Sequence, residues 1–547
     1  MQQTFRRSLL TTIVAAGLLL LCVLPGASAA ESPKRGGTLV IGTTTDVDTF
    51  NVLVSNSITS SWILDLMYPS LLAMDEKANK VPYLAKEWGY SDGGRVAWFK
   101  LREGAKWQDG TPITSEDVKY TVDITVKYNI GFNASLFSSV EKIVTPDAHT
   151  VQFYLNEPSV SFAPSAGFWL RVVPKHIWAK VQDPKQFAND NPIGAGPFAL
   201  VKYQRGQYYE LAPVKQGFFV QSGPPLVDKV IFKIYPDINT LILALKKGEV
   251  DLSAESIPPA SVPDLKRTKG INVVSGPSLG YAYMIFNLHS KQAAFLADVQ
   301  VRKAIAYAVN KDIINKMVLA GNGLPIATAV SPVLDFWHNP NVKDYAYDLN
   351  QAKRILDAAG YKDTNGDGVR EVPASKGVGK LRVRILYDSG HAQQPKVMQI
   401  LKDDLAKIGI EVVPDGMERN AYLAKRKELD FDLMLGRWGI MDEPADYLYL
   451  LYHSDTYGQG GINESGPNDP TLDKLLDEAR KTGDVNLARD RVFKIQERLH
   501  ELIPEVTLYV EQYYFAYRDR FTGYRLFPSD LRGLVDPQSL SVVHLAN

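Results

Sequence analysis

Short apolar runs bounded by glycine and polar turns alternate along this chain with longer stretches in which apolar residues recur every three or four positions, a pattern of strands interleaved with helices. Leu39 to Ile41 reads as a brief buried strand and Thr43 to Asn51 as the polar loop behind it. Trp62 to Tyr68 is a helical stretch. Val96 to Leu101 has the aromatic and β-branched content of a strand, and Asp109-Gly110 supplies a tight turn after it. Thr114 and Asp117 then form a capping box that starts a helix with Val118, Val122 and Val126 on one face. Thr150 to Leu155 and Lys229 to Ile234 are strands, and the helix Ile238 to Lys246 stops at Gly248. Asp298 to Asp312 is helical with a stripe at Val301, Ile305, Ala308 and Val309, and Asp348 caps a helix that ends at Gly360.

A strand-helix-strand unit follows: Leu381 to Tyr387, a helix bearing Val397, Leu401, Leu405 and Ile408 and stopped by Gly409, then Ile410 to Val413. It implies a second α/β lobe. Phe431 to Leu435 is another buried strand, two helices follow around Leu472 to Ala479 and Val492 to Leu499, and Glu505 to Val510 is a late strand expected to return to the first lobe. With 547 residues, two or three domains are expected.

Arg6-Arg7, the apolar run Leu9 to Leu24 and the small residues before Glu31 follow the order of a secretory signal, with cleavage expected at Ala30 or Glu31. The single cysteine, Cys22, falls inside that segment, and Leu20-Leu21 before it do not suit a lipoprotein site. The mature chain would then be free of thiols, which excludes cysteine metal sites and thiolate catalysis. It would carry 59 basic and 61 acidic residues, a balance that calls for neither nucleic acid nor an anionic membrane as partner.

No constellation for metal or covalent catalysis emerges from the residue pattern. The eight histidines are scattered, without a His-Glu-x-x-His spacing. Gly276-Pro-Ser278-Leu-Gly280 fits a nucleophile elbow in letters, but Tyr281 to Asn287 after it reads as a strand, whereas an elbow must lead into a helix. Asp363 to Gly368 resembles the front half of a calcium loop whose twelfth position, Ala374, offers no carboxylate, so a turn is expected. Pro192 to Phe198, with Gly194 and Gly196, lacks the Lys-Ser/Thr ending of a phosphate loop and reads as a close backbone approach.

Open α/β sheets bind ligands beyond the carboxyl ends of their strands. Three loops qualify: Thr43 to Asn51, Tyr281 to Asn287, and Arg437 to Tyr447, the last combining a cation, an indole and several carboxylates. Such a mixture suits a polar ligand held by its ends with an aromatic face over its middle.

Several longer strings carry a resemblance. "F-x-L-R-E-G-A-K-W-Q-D-G-T-P-I-T-S-E-D-V" over Phe99 to Val118, the "V-P-Y-L-A-K-E-W" of Val81 to Trp88, "P-I-G-A-G-P-F" over Pro192 to Phe198 and "V-R-K-A-I-A-Y-A-V-N-K" from Val301 resemble the extracellular solute-binding proteins of the peptide and nickel family, which serve ABC importers. The resemblance implies a bilobal, periplasmic-binding-protein-like α/β fold of type II with an extra inserted domain and a hinged cleft.

Its implied parts are a signal peptide at 1–30; first-lobe segments at 31–76, 193–282 and 509–547; an inserted small domain at 77–192; and a second lobe at 283–508. It implies a monomeric periplasmic carrier, without cofactor or metal, that passes a small solute to a membrane permease.

The ligand-binding residues it suggests are Asp46, Trp62, Tyr281, Asn287, Arg437, Trp438, Asp442 and Asp446. In peptide-binding members an aspartate after the "G-W-G" string meets the ligand ammonium. Counting forward from Trp438 puts Met441 in that place, while counting back from Pro444 puts Asp442 nearby, so Asp442 or Asp446 is expected to take the role. An oligopeptide or dipeptide is the expected solute; an oligosaccharide, opine or nickel chelate is the alternative, and a secreted hydrolase the remote one.

Overall fold

The computed structural model describes residues 33–214, 223–458, 462–528 and 532–546. The expected signal segment, Cys22 and the cleavage site lie outside them. Among the described residues no helix is long and apolar enough to cross a membrane.

Three sheets organise the chain. The largest has seven strands in the order Ile271–Pro277, Gln512–Arg518, Leu252–Ser253, Thr38–Thr43, Lys229–Ile234, Tyr208–Pro213 and Phe198–Gln204. Thr38–Thr43 runs parallel to Lys229–Ile234 and to Leu252–Ser253, and the remaining pairs are antiparallel. This sheet is the frame of the first lobe.

The second lobe is built on five strands, Glu411–Met417, Arg382–Asp388, Leu433–Arg437, Ala282–Phe286 and Glu505–Tyr509. Side chains of Ala282–Phe286 alternate between two cores: Ala282, Met284 and Phe286 enter one, Tyr283 and Ile285 the other. Both faces are thus covered by helices, as a sheet with parallel central strands requires. A third sheet, antiparallel, joins Ala85–Ser91, Val96–Leu101, Thr150–Leu155 and Val140–Asp147 into a small domain whose core is continuous with that of the first lobe.

One strand expectation needs correction. Glu505–Tyr509 does not return to the first lobe; it pairs with Ala282–Phe286 at the edge of the second-lobe sheet, and the return is made by Gln512–Arg518, which pairs with Ile271–Pro277. Each strand is apolar enough for either sheet, so membership is decided by partners far away in the chain. The two lobes are joined where these strands meet, at Ser278–Tyr281 and Val510–Glu511. These crossings lie side by side, with Ser278 N donating to Glu511 O at 2.9 Å. A Cβ on Gly280 would fall 1.9 Å from Gly439 O, so only glycine lets this crossing pass under the loop after strand Leu433–Arg437. A pair of short crossings between two rigid lobes is a hinge.

The signature strings have structural work to do. Thr114 N donates to the Asp117 carboxylate at 2.8 Å, closing the capping box at the start of helix Ser115–Lys127. Gly194 and Gly196 allow the backbone of Met67 to approach, and Gly196 N donates to Met67 O at 2.7 Å. Arg302, 4% exposed, sends its guanidinium to the carbonyls of Leu296, Ala297, Leu502 and Ile503, tying two helix ends together.

Ser278 lies in the crossing between two strands, its Oγ accepting from Gly280 N at 2.9 Å, which is not the strand-to-helix setting of a nucleophile elbow. In the Asp363 turn the carboxylate accepts from Gly366 N and Gly368 N, and Lys380 pairs with Asp367. Glu371, whose oxygen lies near Asp363 and Asp367, accepts from Thr364 N.

Candidate functional site

Where the small domain faces the second lobe the structure forms a cavity of about 400 Å³ that is open to solvent on one side. Its first-lobe side is set by two strands: Lys80–Pro82, which pairs with Leu72–Met74 and carries Lys80, and Ala85–Ser91, which carries Trp88 and Tyr90. The Tyr90 hydroxyl donates to Val160 O at 2.7 Å and accepts from Ala163 N at 2.9 Å, so the ring is held in place. The second lobe contributes Phe336 and Trp337, packed edge to face at 5.1 Å, and the loop that carries Asp442 and Glu443. At the rim the backbones of the two lobes touch: a Cβ on Gly94 would lie 2.5 Å from Gly483 N.

Asp442 and Glu443 sit at the start of helix Pro444–Tyr452, whose first-turn amides of Asp446 and Tyr447 donate to Glu443 O. Pro444 at the first helical position costs no hydrogen bond there and fixes the turn. Across the boundary between the lobes Lys80 Nζ lies 2.8 Å from Asp442 Oδ2 and 3.5 Å from Glu443 Oε1, with side chains 7% exposed for Lys80 and 10% for either acid. The same ammonium stands 4.7 Å from the ring of Phe168. Burial disfavours the Lys80 charge, but Asp442 and Glu443 outweigh it and hold the ammonium above its ordinary range. Burial pushes the Glu443 carboxyl up to about 8, with Lys80 opposing and Asp442 adding to the shift. One cation therefore serves two carboxylates beside a cavity whose wall includes four aromatic rings, an arrangement that can accept a further positive group.

Of the residues suggested by sequence, Asp442 lines this cavity. Asp446 stands one helical turn on and meets Arg480 at 3.3 Å. Arg437 reaches from the second lobe to Tyr513 Oη at 2.9 Å and to Glu511 at 3.2 Å, spanning the hinge. Trp438 stacks on Tyr283 at 5.5 Å beneath the Arg426 guanidinium. Asp46 is taken up within the first lobe by Tyr209 Oη at 2.5 Å and Gly206 N at 2.8 Å. Trp62 is buried in the first-lobe core, and Tyr281 in the second.

Asn287 is buried, and its amide donates to Leu429 O and Phe431 O, which fastens a loop and presents no free edge to the cavity. Sequence reasoning missed Lys80, Trp88, Tyr90, Phe336, Trp337 and Glu443. Trp88 ends, and Lys80 directly precedes, the string Val81 to Trp88, and Glu443 is next to Asp442, so the signal was local for three of them.

The family model for the bacterial extracellular solute-binding proteins, family 5 Middle, matches residues 79–459. The chain belongs to that family. Among family 5 relatives, the oligopeptide-binding protein AppA of Bacillus subtilis is 27% identical over 510 residues, covering 91% of each chain. Its structure in complex with a nonapeptide superimposes with a TM-score of 0.69 at 26% identity, over 94% of this chain and all of that one. The structure of AgaA from A. tumefaciens R10 in complex with agropinic acid is similar to the same degree, with 26% identity, a TM-score of 0.67 and coverage of 93% and 99%.

Proposed function

We propose that this protein captures a peptide between its lobes, outside the cytoplasmic membrane, and delivers it to the permease of an ABC importer. The observation that carries this reading is the inter-lobe cavity in which buried carboxylates stand at one edge of an aromatic wall. A peptide offers an ammonium for the acids, apolar side chains for the rings and a length that can touch both lobes. Relatives in family 5 that bear the name oligopeptide-binding agree with it.

Mechanically the hinge at Ser278–Tyr281 and Val510–Glu511 lets the lobes open and close. A ligand that contacts both lobes binds the closed form better and shifts the population towards it. Energy for transport would come from a separate ATPase subunit. The protein works as a monomer, exported by its amino-terminal signal.

Mass spectrometry of small molecules released by denaturing the purified protein tests this. A ladder of peptide masses is the expected result. A single mass of an opine, sugar or metal chelate would replace the peptide reading with the second one, for which the likeness to the agropinic acid complex speaks.

A further inference from the structure

Strand Glu505–Tyr509 opens with a carboxyl where its place in the sheet calls for an apolar side chain. Glu505 pairs with Ile285 and Thr507 with Tyr283, so the Glu505 side chain shares the sheet face that packs against Tyr281, Tyr447 and Tyr452. Both of its carboxylate oxygens are buried without a hydrogen-bond partner, and so are the hydroxyls of Tyr281 and Tyr452. The two hydroxyls turn towards the carboxyl and favour its ionised form, yet none of these contacts closes into a hydrogen bond. Four orphaned polar atoms, all of them oxygen, thus gather beside a cavity of about 30 Å³ that Glu505, Tyr452, Thr328 and Thr507 help to line. A space of that size takes a water molecule or a small ion.

The other charges nearby are already matched. Lys311 gives its ammonium to the Asp344 carboxylate at 2.6 and 2.7 Å and to Ile326 O at 3.0 Å, and Arg426 pairs with Glu464. Tyr283 and Tyr447 complete the ionisable groups around the Glu505 carboxyl, and His500 lines the same cavity. A buried carboxylate in this setting must keep its proton or take a cation. Burial pushes the carboxyl up to about 7 against the two hydroxyls, so above that pH the charge is present and in want of a partner.

We propose that Glu505, Tyr281 and Tyr452 bind a monovalent alkali cation, sodium or potassium, in the core of the second lobe, the carboxylate supplying the charge and the two hydroxyls neutral oxygen ligands. A donor set made only of oxygen suits a hard cation, and a single carboxylate balances one positive charge, whereas a divalent ion would leave charge uncompensated in the interior. The position gives the ion a task. Tyr281 ends the first hinge crossing, Glu505 opens the strand that runs into the second at Val510–Glu511, and Tyr452 closes the helix that begins beside Asp442 and Glu443. One ion would tie these three elements together at the second-lobe end of the hinge.

Thermal unfolding of the mature protein at pH 8 in sodium, potassium or N-methylglucamine chloride, matched in ionic strength, tests the site. The melting temperature is expected to rise by about 2 °C between about 1 and 100 mM of the binding cation, with N-methylglucamine making up the balance, and to rise less at pH 6, where the proton holds the carboxyl. Glu505→Gln should abolish the dependence. If that variant does not fold, Tyr452→Phe keeps the carboxylate and should need at least about threefold more cation for the same shift. Equal melting temperatures in all three salts overturn the proposal, and so does a dependence that survives unchanged in Glu505→Gln or, in its place, Tyr452→Phe.

Discussion

Two buried clusters of charge each set a cation against the ring of Phe168, and they are built on opposite plans. On one side, within the first lobe, Asp65 receives Arg171 and Arg532 at 2.7 Å each, and Arg532 also meets Asp536 at 3.2 Å. Two guanidinium groups answer two carboxylates, and Arg532 lies 5.1 Å from the Phe168 centroid. Burial alone would raise the Asp65 carboxyl, but Arg171 and Arg532 hold it below the ordinary range. On the other side Lys80, a single cation 4.7 Å from the same ring, reaches across the lobes to both Asp442 and Glu443, and Glu443 is pushed up to about 8. The balanced cluster can only hold a lobe together. The unbalanced one lies between lobes and responds to an added cation, which is what a binding site needs.

The comparison is most severely tested by Arg532→Met. This leaves Asp536 without its cation in the interior, and removing one partner of a buried pair costs about 3 to 5 kcal/mol, to be read from urea unfolding. Glu443→Gln should do the reverse, leaving stability at neutral pH at or above that of the wild type and lowering affinity for Phe-Ala-Ala by about 1.4 kcal/mol, measured by the same unfolding assay and by calorimetry. Comparable losses of stability in the two variants would erase the distinction between the clusters.

The pH dependence sharpens it further. In the unfolded chain a glutamate titrates near about 4.3, whereas folded Glu443 holds its proton up to about 8, so the folded state binds more protons across that window and its stability falls as pH rises through it. Glu505, buried and pushed up to about 7, acts in the same direction over the lower part of the range, so the contribution of Glu443 is the difference between wild type and Glu443→Gln. Affinity for an ammonium ligand moves the other way, rising between pH 6 and about 7.5. The smallest effect is expected far from both clusters: the Asp363 turn is closed by its own amides and by Lys380, so the melting temperature should not change between calcium and a chelator.

Local chemistry made much of the fold legible. The Thr114 box, the Asp348 cap and the glycine stop at Gly248 are each decided within a few residues, and the structure has all three. Glu505–Tyr509 was assigned to the wrong sheet because strand partners are not written in the strand itself; its neighbour, Ala282–Phe286, lies more than two hundred residues away. The site was legible to the same extent. The acidic loop after Trp438 could be picked out from composition, but Lys80, 362 positions from Asp442, could not be paired with it before folding brought the lobes together. Nor could Asp46 and Asn287, polar residues in apparently ligand-facing loops, be seen to spend their hydrogen bonds on their own lobes.

The central claim is that an under-compensated Glu443 receives the ligand's positive charge, and the most direct measurement of it is the number of protons released on binding. Titrating Phe-Ala-Ala at pH 6.5 in buffers of different ionisation enthalpy should show release of about one proton per peptide, because Glu443 gives up its proton as the ammonium arrives. The Glu443→Gln variant should release none. Binding by the wild type without proton release would contradict the account.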